Sequence, residues 1–247
     1  MSGCCAGGTG IPSCERVFDD RTARDDLRRL RRDGPPWATR VLIDALADGL
    51  PLDETTVVDI GAGVGAVHLT LLERGARAAV DVDGSTAYLA AARSEAERRG
   101  LAGRVTHILG DATTADLGLE PGDLVVLDRV VCCYGDVAAL MGAAAAVATC
   151  RVGLVYPRDT WWMRAAAAIG NSVMFRRSAG YRMHVHREAD VTAPLRAAGF
   201  RRRSTRDGRV WRVETWERVS PAGASATAPV PATARDPATL PAIRTGS

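Results

Sequence analysis

The chain contains no lysine and no glutamine, and its one asparagine is Asn171. All 32 basic side chains are therefore arginine; against 29 acids they leave a net charge of +3. With arginine and alanine used so heavily, this balance reflects GC-rich codon usage and argues only weakly for a nucleic-acid partner. No stretch approaches the roughly 18 consecutive apolar residues of a membrane span, so none is expected. The opening Met1-Ser2-Gly3-Cys4-Cys5 lacks the charged and apolar regions of a secretory leader. A reducing, cytoplasmic location follows, and the six cysteines read as thiols. Internal repeats are also missing. At 247 residues and 47% apolar, the chain reads as one domain with extensions and a sizeable core.

What is present centres on Val57-Val58-Asp59-Ile60-Gly61-Ala62-Gly63-Val64-Gly65. An apolar run ends in an acid, glycines alternate, and a helical pattern begins at Ala66. This is the pattern of a buried strand turning tightly into a helix. Glycines serve where backbone approaches a ligand or takes positive φ. The helix N-terminus that follows offers free N–H groups to an anionic or polar group. The expectation is a nucleotide-type cofactor site.

Around this loop, strand and helix patterns alternate. Strands are expected at 55–60, 77–82, 104–109, 123–128 and 151–156, and helices at 64–74, 85–99, 136–149, 160–175 and 187–198. Ser85 is a plausible N-cap. Two further β-like runs, 200–206 and 210–218, are joined by Asp207-Gly208, a hairpin signal. Alternation of this kind gives a parallel sheet with the ligand at the strand C-termini. Before the loop, 18–32 has acids early and arginines late, as a helix dipole prefers, and Gly34-Pro35-Pro36 stops it. A second amphipathic helix is expected over 37–50. Residues 1–36 are thus read as a flexible Cys-rich arm and a lid helix, 37–218 as the cofactor-binding domain, and 219–247, poor in large apolar residues, as a disordered tail.

Gly61-Ala62-Gly63-Val64-Gly65-Ala66 also fits the loose dinucleotide fingerprint, so an NAD(P)-dependent oxidoreductase is a rival. Four features point elsewhere. Asp59 would repel a pyrophosphate but suits a ligand with an ammonium group. Asp81 ends the second strand, where a carboxylate can accept two ribose hydroxyls; Asp83 is the alternative in register. Gly110-Asp111-Ala112 follows the third strand, where an adenine edge would sit. The sheet closes in a hairpin instead of a second nucleotide-binding half.

With these motifs in this order, the chain resembles the class I S-adenosylmethionine-dependent methyltransferases. The matching stretches are VVDIGAGVGA (57–66), AAVDVDGS (78–85), GDAT (110–113), VVLDRVVCCY (125–134) and AAGF (197–200). The resemblance implies an α/β, Rossmann-like, seven-stranded, mostly parallel sheet with a C-terminal antiparallel hairpin and helices on both faces. It implies S-adenosyl-L-methionine as cofactor and S-adenosyl-L-homocysteine as product. Gly61, Ala62, Gly63 and Gly65 would wrap the methionine moiety, with Asp59 toward its ammonium group. Asp81 would hold the ribose, Asp111 and Ala112 the adenine, and Val82 would also touch the cofactor. Asp128 would lie beside the transferred methyl. The segments 18–30 and 156–175 are distantly similar to magnesium-protoporphyrin O-methyltransferases. The sequence after the fourth strand departs from that family, so its tetrapyrrole specificity does not carry over; a widespread group of bacterial methyltransferases is more similar.

Methyl transfer from a sulfonium mainly needs alignment and exclusion of water. Catalytic candidates are His184, His186 and Tyr134. The two histidines, at period 2 before a helix, could take a proton or cap that helix. Their spacing would allow a metal, but no third ligand matches and none is expected. Arg129, Tyr156, Arg158, Trp161 and Trp162 are expected to line the substrate pocket. Cys132 and Cys133 lack the Asp-x-Pro-Cys context of the RNA cytosine-5 enzymes and read as buried thiols. The Asn-Pro-Pro-Tyr signature of adenine or glutamine methylation is absent. The expected partner is a small-molecule acceptor, methylated on O, N or S. Two other readings stand beside this one. The seven arginines between Arg196 and Arg212 could serve an RNA methyltransferase or form a solvated face, and a non-catalytic cofactor-binding protein would bind without turnover.

Overall fold

The computed structural model describes residues 17–114, 117–177 and 182–219. The expected arm with Cys4, Cys5 and Cys14, Tyr181, and the tail beyond Val219 lie outside these residues. Two helices lead: α1 (Asp20–Asp33) and α2 (Trp37–Ala47). There follow β1 (Thr56–Ile60), α3 (Ala66–Glu73), β2 (Ala78–Asp83), α4 (Thr86–Arg98), β3 (Val105–Leu109), β4 (Gly122–Asp128), α5 (Val137–Val147) and β5 (Ala148–Pro157). The chain continues through α6 (Trp161–Arg177), α7 (Glu188–Ala197), β6 (Phe200–Asp207) and β7 (Trp211–Arg218).

The sheet has seven strands in the order β3-β2-β1-β4-β5-β7-β6. Strands β1 to β5 pair in parallel, and β7 lies antiparallel between β5 and β6. The order reverses at β1, and in such sheets the ligand crevice opens at the strand C-termini beside that point. Successive residues of a strand face opposite sides, and both sides are covered. Val58, Ile60, Val125, Leu127, Val152 and Leu154 pack with α5, α7 and Trp216. Val57, Leu124, Val126, Val155 and Val213 pack with α2 and α3. Each fully buried aliphatic side chain contributes about 1.5–3 kcal/mol, so the central strands anchor the site rigidly.

The local signals act as expected at several ends. Asp19 caps α1 by accepting the Thr22 N–H at 2.9 Å, with Asp20 in its first turn and Arg31 and Arg32 in its last. Ser85 caps α4 by accepting from the Tyr88 N–H at 3.2 Å. The closing hairpin turns at Gly208, whose N–H donates to the Trp211 carbonyl at 2.8 Å. Helix α1 packs against α4: Tyr88 donates its hydroxyl to Asp26 at 2.6 Å, and Arg31 pairs with Glu95 at 2.8 Å. Among the described residues no helix is long and apolar enough to cross a membrane.

The hairpin arginines are largely spoken for. Arg201 pairs with Glu217, Arg202 with Glu188 and Glu214, Arg203 with Asp48, and Arg212 with Asp207 and Glu188. Arg196 and Arg202 stack on Trp216 at 5.5 and 5.1 Å. This is a self-neutralised face, not an open basic strip.

Candidate functional site

At the C-terminal end of β1 the chain must turn sharply and leave room above it. Gly61, Gly63 and Gly65 all take positive φ, at 66°, 58° and 81°. At Gly61 a side chain has no room either: an added Cβ would sit 2.8 Å from the Val130 Cβ. The loop is stitched to β2, because the Gly61 N–H donates to the Val82 carbonyl at 2.7 Å and the Gly63 N–H to Asp83 at 2.9 Å.

Above the loop lies a cavity of about 620 Å³, within the roughly 300–1,000 Å³ common for ligand sites. Its floor is 60–64 with Val82, Asp83, Gly84 and Ala112. One wall is 128–130 with Cys132, Cys133 and Tyr134. Asp26, Arg29, Leu30 and 33–36 from the N-terminal helix, with Arg40, roof it, and Met183 and Trp211 close one end. Among the described residues no group of three His, Cys, Asp or Glu side chains could hold a metal ion.

Three acids underlie the floor in different states. Asp83 lines the cavity and accepts two backbone N–H groups, from Gly63 and Ser85, both at 2.9 Å. Burial, with the neighbouring charges of Asp81 and Asp59, still pushes its pKa up to about 7. Asp81, expected to face the ligand, does not line the cavity. It is fully buried and bonded to the His107 ring at 2.7 Å across the β2–β3 register. The strand runs to Asp83, two residues farther along the same face, and that residue reaches the crevice. Asp59 is likewise set below the floor. It holds the His68 ring at 2.9 Å and faces the His68 N–H at 3.3 Å, fixing the first turn of α3. Burial opposes protonation of His68, but the Asp59 carboxylate outweighs it and its pKa is raised.

Of two further acids, Asp128 is on the cavity lining and Asp111, like Asp81, is not. Asp111 lies behind Ala112 and accepts from the Thr113 N–H and hydroxyl and from the Tyr134 hydroxyl, at 2.9, 2.8 and 2.9 Å. Asp128 lines the cavity at the end of β4 and accepts the Thr39 hydroxyl at 2.7 Å. Burial raises its pKa, opposed by the charge of Arg129 and the Thr39 hydroxyl.

The residues expected on the acceptor side divide. Arg129 and Tyr134 line the cavity. Tyr134 is a poor base, because burial and the Asp111 carboxylate raise its pKa further and its proton is already donated. Tyr156, Arg158, Trp161 and Trp162 are not on the lining, which corrects the expectation for all four. Tyr156 is buried in the sheet core, and Arg158 bonds the Gly208 carbonyl at 3.2 Å. Trp161 is 82% exposed and Trp162 38%, on the outer side of α6. The histidines also lie off the lining. Their rings stack at 5.6 Å, the His184 N–H binds the Cys132 carbonyl at 2.7 Å, and the His186 Nε2 donates to the Tyr134 carbonyl at 2.8 Å. They buttress the wall from behind. They do not cap α7, whose N-cap is Arg187. Burial and the neighbouring His186 lower the His184 pKa. Gly65 sits behind the loop, its space taken by His68 and Leu69.

The sequence reading missed the roof residues Asp26, Arg29 and Arg40, the aromatic Trp211, and His68. The acid–arginine spacing of α1 and the Pro35-Pro36 stop gave the expectation of a lid helix, but not which of its side chains line the cavity. Trp211 comes to the cavity from a distant strand, whereas His68 lies nine residues after its partner Asp59.

Residues 57–150 match the family model described as a methyltransferase domain. The ribosomal protein L11 methyltransferase of Haemophilus influenzae is 37% identical over 70 residues, which cover 28% of this chain and 24% of that protein. The chain thus spans about a quarter of the length of that curated relative. Among solved structures, magnesium protoporphyrin IX methyltransferase from Synechocystis PCC 6803, with bound S-adenosylhomocysteine, is similar with TM-score 0.64 at 23% identity. That match covers 83% of this chain and 98% of the other. Geranyl diphosphate C-methyltransferase from Streptomyces coelicolor A3(2) gives TM-score 0.60 at 13% identity, over 81% of this chain and 84% of the other. Residues 57–150, which hold the glycine loop, thus match a methyltransferase domain, and the described chain has the fold of these solved methyltransferases.

Proposed function

We propose that this protein moves a methyl group from S-adenosylmethionine to an O, N or S atom of a small-molecule acceptor. The observation that carries the reading is the roofed cavity, floored by the glycine loop and Asp83 and covered by the chain's own N-terminal helix. When bound, the cofactor supplies an electrophilic methyl on a sulfonium: the acceptor's lone pair forms the new bond to carbon, the carbon–sulfur bond breaks, and S-adenosylhomocysteine leaves neutral at sulfur. The glycine loop, with backbone free of side chains, cradles the methionine part. Asp83 accepts the ribose hydroxyls, a role moved here from Asp81. Val82 and Ala112, on the lining, would flank the adenine, and Asp111, off the lining and held by Tyr134 and Thr113, would accept from its polar edge. Asp128 borders the methyl end. The roof excludes water, which aligns the reactants and removes the competing nucleophile.

None of the three expected catalytic residues offers a base to the cavity, since Tyr134 donates to Asp111 and the histidines lie behind the wall. This favours acceptors that arrive nucleophilic, or that lose their proton to water as the bond forms. Among the described residues, Cys132, Cys133 and Cys150 form no disulfide, which fits a cytoplasmic location. A protein acceptor is the second reading, favoured by the name of the Haemophilus relative. The ion-paired hairpin withdraws support from an RNA acceptor. Incubation with methyl-labelled S-adenosylmethionine and cell extract tests the proposal. Label in the small-molecule filtrate is the expected result. Label retained in protein or RNA, or binding of NADH without binding of S-adenosylhomocysteine, overturns it.

A further inference from the structure

We infer that the acceptor is an anionic small molecule whose carboxylate or phosphate is held between Arg40 and Arg129. The inference deepens the methyl-transfer reading and rests on it. Thr39 donates to Asp128 at 2.7 Å, pinning the first turn of α2 to the end of β4. Arg40 and Arg129 are the next residues on the two sides of that bond, and both line the cavity.

Their guanidinium groups are not consumed by the protein. Arg40 is exposed and donates through Nη1 to the Pro35 carbonyl at 2.7 Å; it makes no ion pair with a carboxylate among the described residues. Arg129 touches Asp128 only through Nε, at 3.4 Å, so its terminal nitrogens have no hydrogen-bond partner among the described residues. Arg129 is also the one non-glycine residue among those described with positive φ, at 62°, while its N–H stays bonded to the Val155 carbonyl at 2.9 Å. Strain of this kind persists where surrounding structure holds it, and it clusters at ligand sites.

The acids on the same lining are each engaged. Asp26 takes the Tyr88 hydroxyl and pairs with Arg29, Asp33 pairs with Arg32, Asp83 takes two backbone N–H groups, and Asp128 takes Thr39 on one oxygen and faces the Arg129 Nε with the other. The net offer at this end of the cavity is therefore a pair of planar donor forks, which match carboxylate or phosphate oxygens. Trp211, Met183 and Val130 give the rest of the molecule an apolar wall.

Calorimetry on the full chain saturated with S-adenosylhomocysteine tests this, with 1-naphthoate, 1-naphthyl phosphate and neutral 1-naphthamide as probes. At least one anion should bind about tenfold tighter than the amide, and Arg40→Ser and Arg129→Gly should each weaken it by about fivefold or more. Glycine accepts the backbone conformation at 129, so that variant keeps the turn. The two anion arms tell a carboxylate site from a phosphate site. The inference is overturned if the amide binds as well as the anions, if neither anion binds, or if both variants bind the anion like the wild type. It is also overturned if the variants lose S-adenosylhomocysteine instead, which would assign the arginines to the cofactor's own carboxylate. If S-adenosylhomocysteine fails to bind the wild type, the methyl-transfer reading is what has failed.

Discussion

Asp83→Asn and Asp81→Asn form a matched pair that tests which carboxylate meets the cofactor. Each removes one charge and keeps the shape. Asp83 divides its oxygens between the Gly63 and Ser85 N–H groups, at 2.9 Å each. A carboxamide offers one oxygen and one NH2, so one of those donors would face another donor. Losing one charge-assisted bond, and the charge that ribose hydroxyls would meet, costs about 2–3 kcal/mol, or about 30- to 150-fold in affinity. Asp81 is fully buried against His107 and does not touch the cavity. Its loss should appear in stability, at about 1–3 kcal/mol, and leave affinity nearly unchanged. Calorimetric titration with S-adenosylhomocysteine gives the affinities, and urea unfolding gives the stabilities. If Asp81→Asn loses binding while Asp83→Asn binds like the wild type, the assignment is refuted.

Two further outcomes are expected. Burial holds the folded pKa of Asp83 at about 7, above its ordinary 3.8, so the native state keeps a proton that the unfolded chain has lost. This group's contribution to stability therefore falls as pH rises from about 4 to about 7. The ionised form is the one that accepts hydroxyls, so affinity for S-adenosylhomocysteine should rise over that window, level off above about pH 7, and release a proton below it. Calorimetry in buffers of different ionisation enthalpy reads this, and a flat profile would remove Asp83 from the contact. Gly61→Ala should destabilise the fold by about 2–4 kcal/mol in denaturant titrations, from positive φ and overlap with Val130. Adding Val130→Ala removes the γ-methyl groups but leaves the Cβ at 2.8 Å, so it should recover part of the overlap and none of the backbone cost; full recovery would show that φ carries no penalty.

The parts of this fold that were legible in sequence are those fixed by neighbours. The glycine loop, the Ser85 cap, the alternating strands and the Asp207-Gly208 turn all depend on contacts within a few residues. The choice between Asp81 and Asp83 did not. Residues two apart on a strand share a face, so alternation cannot separate them. What separates them is His107, brought opposite Asp81 by the β2–β3 register. Arg158 and Tyr156 were misplaced for a related reason: their surroundings are set by β7, more than 50 residues later, which inserts beside β5. The hairpin arginines left an RNA-binding surface and a solvated face both open in sequence, because their acids, Glu188 and Asp48, come from other elements. The exposed Trp161 and Trp162 show the limit of reading aromatics as pocket residues from position alone.

The place of β7 has a consequence for how the chain is made. The last strand in sequence is not an edge; it lies between β5 and β6 and carries the buried Trp216. During synthesis from the N-terminus, β1 to β5 are complete some 50 residues before residues 211–218 exist. In that interval β5, a ten-residue, mostly buried strand, offers its open side to any passing strand, the circumstance in which nascent chains mispair and aggregate. The fold thus closes only when nearly all of the described chain is present, and a chain cut at the hairpin turn would lose the whole β5 edge rather than a peripheral flap.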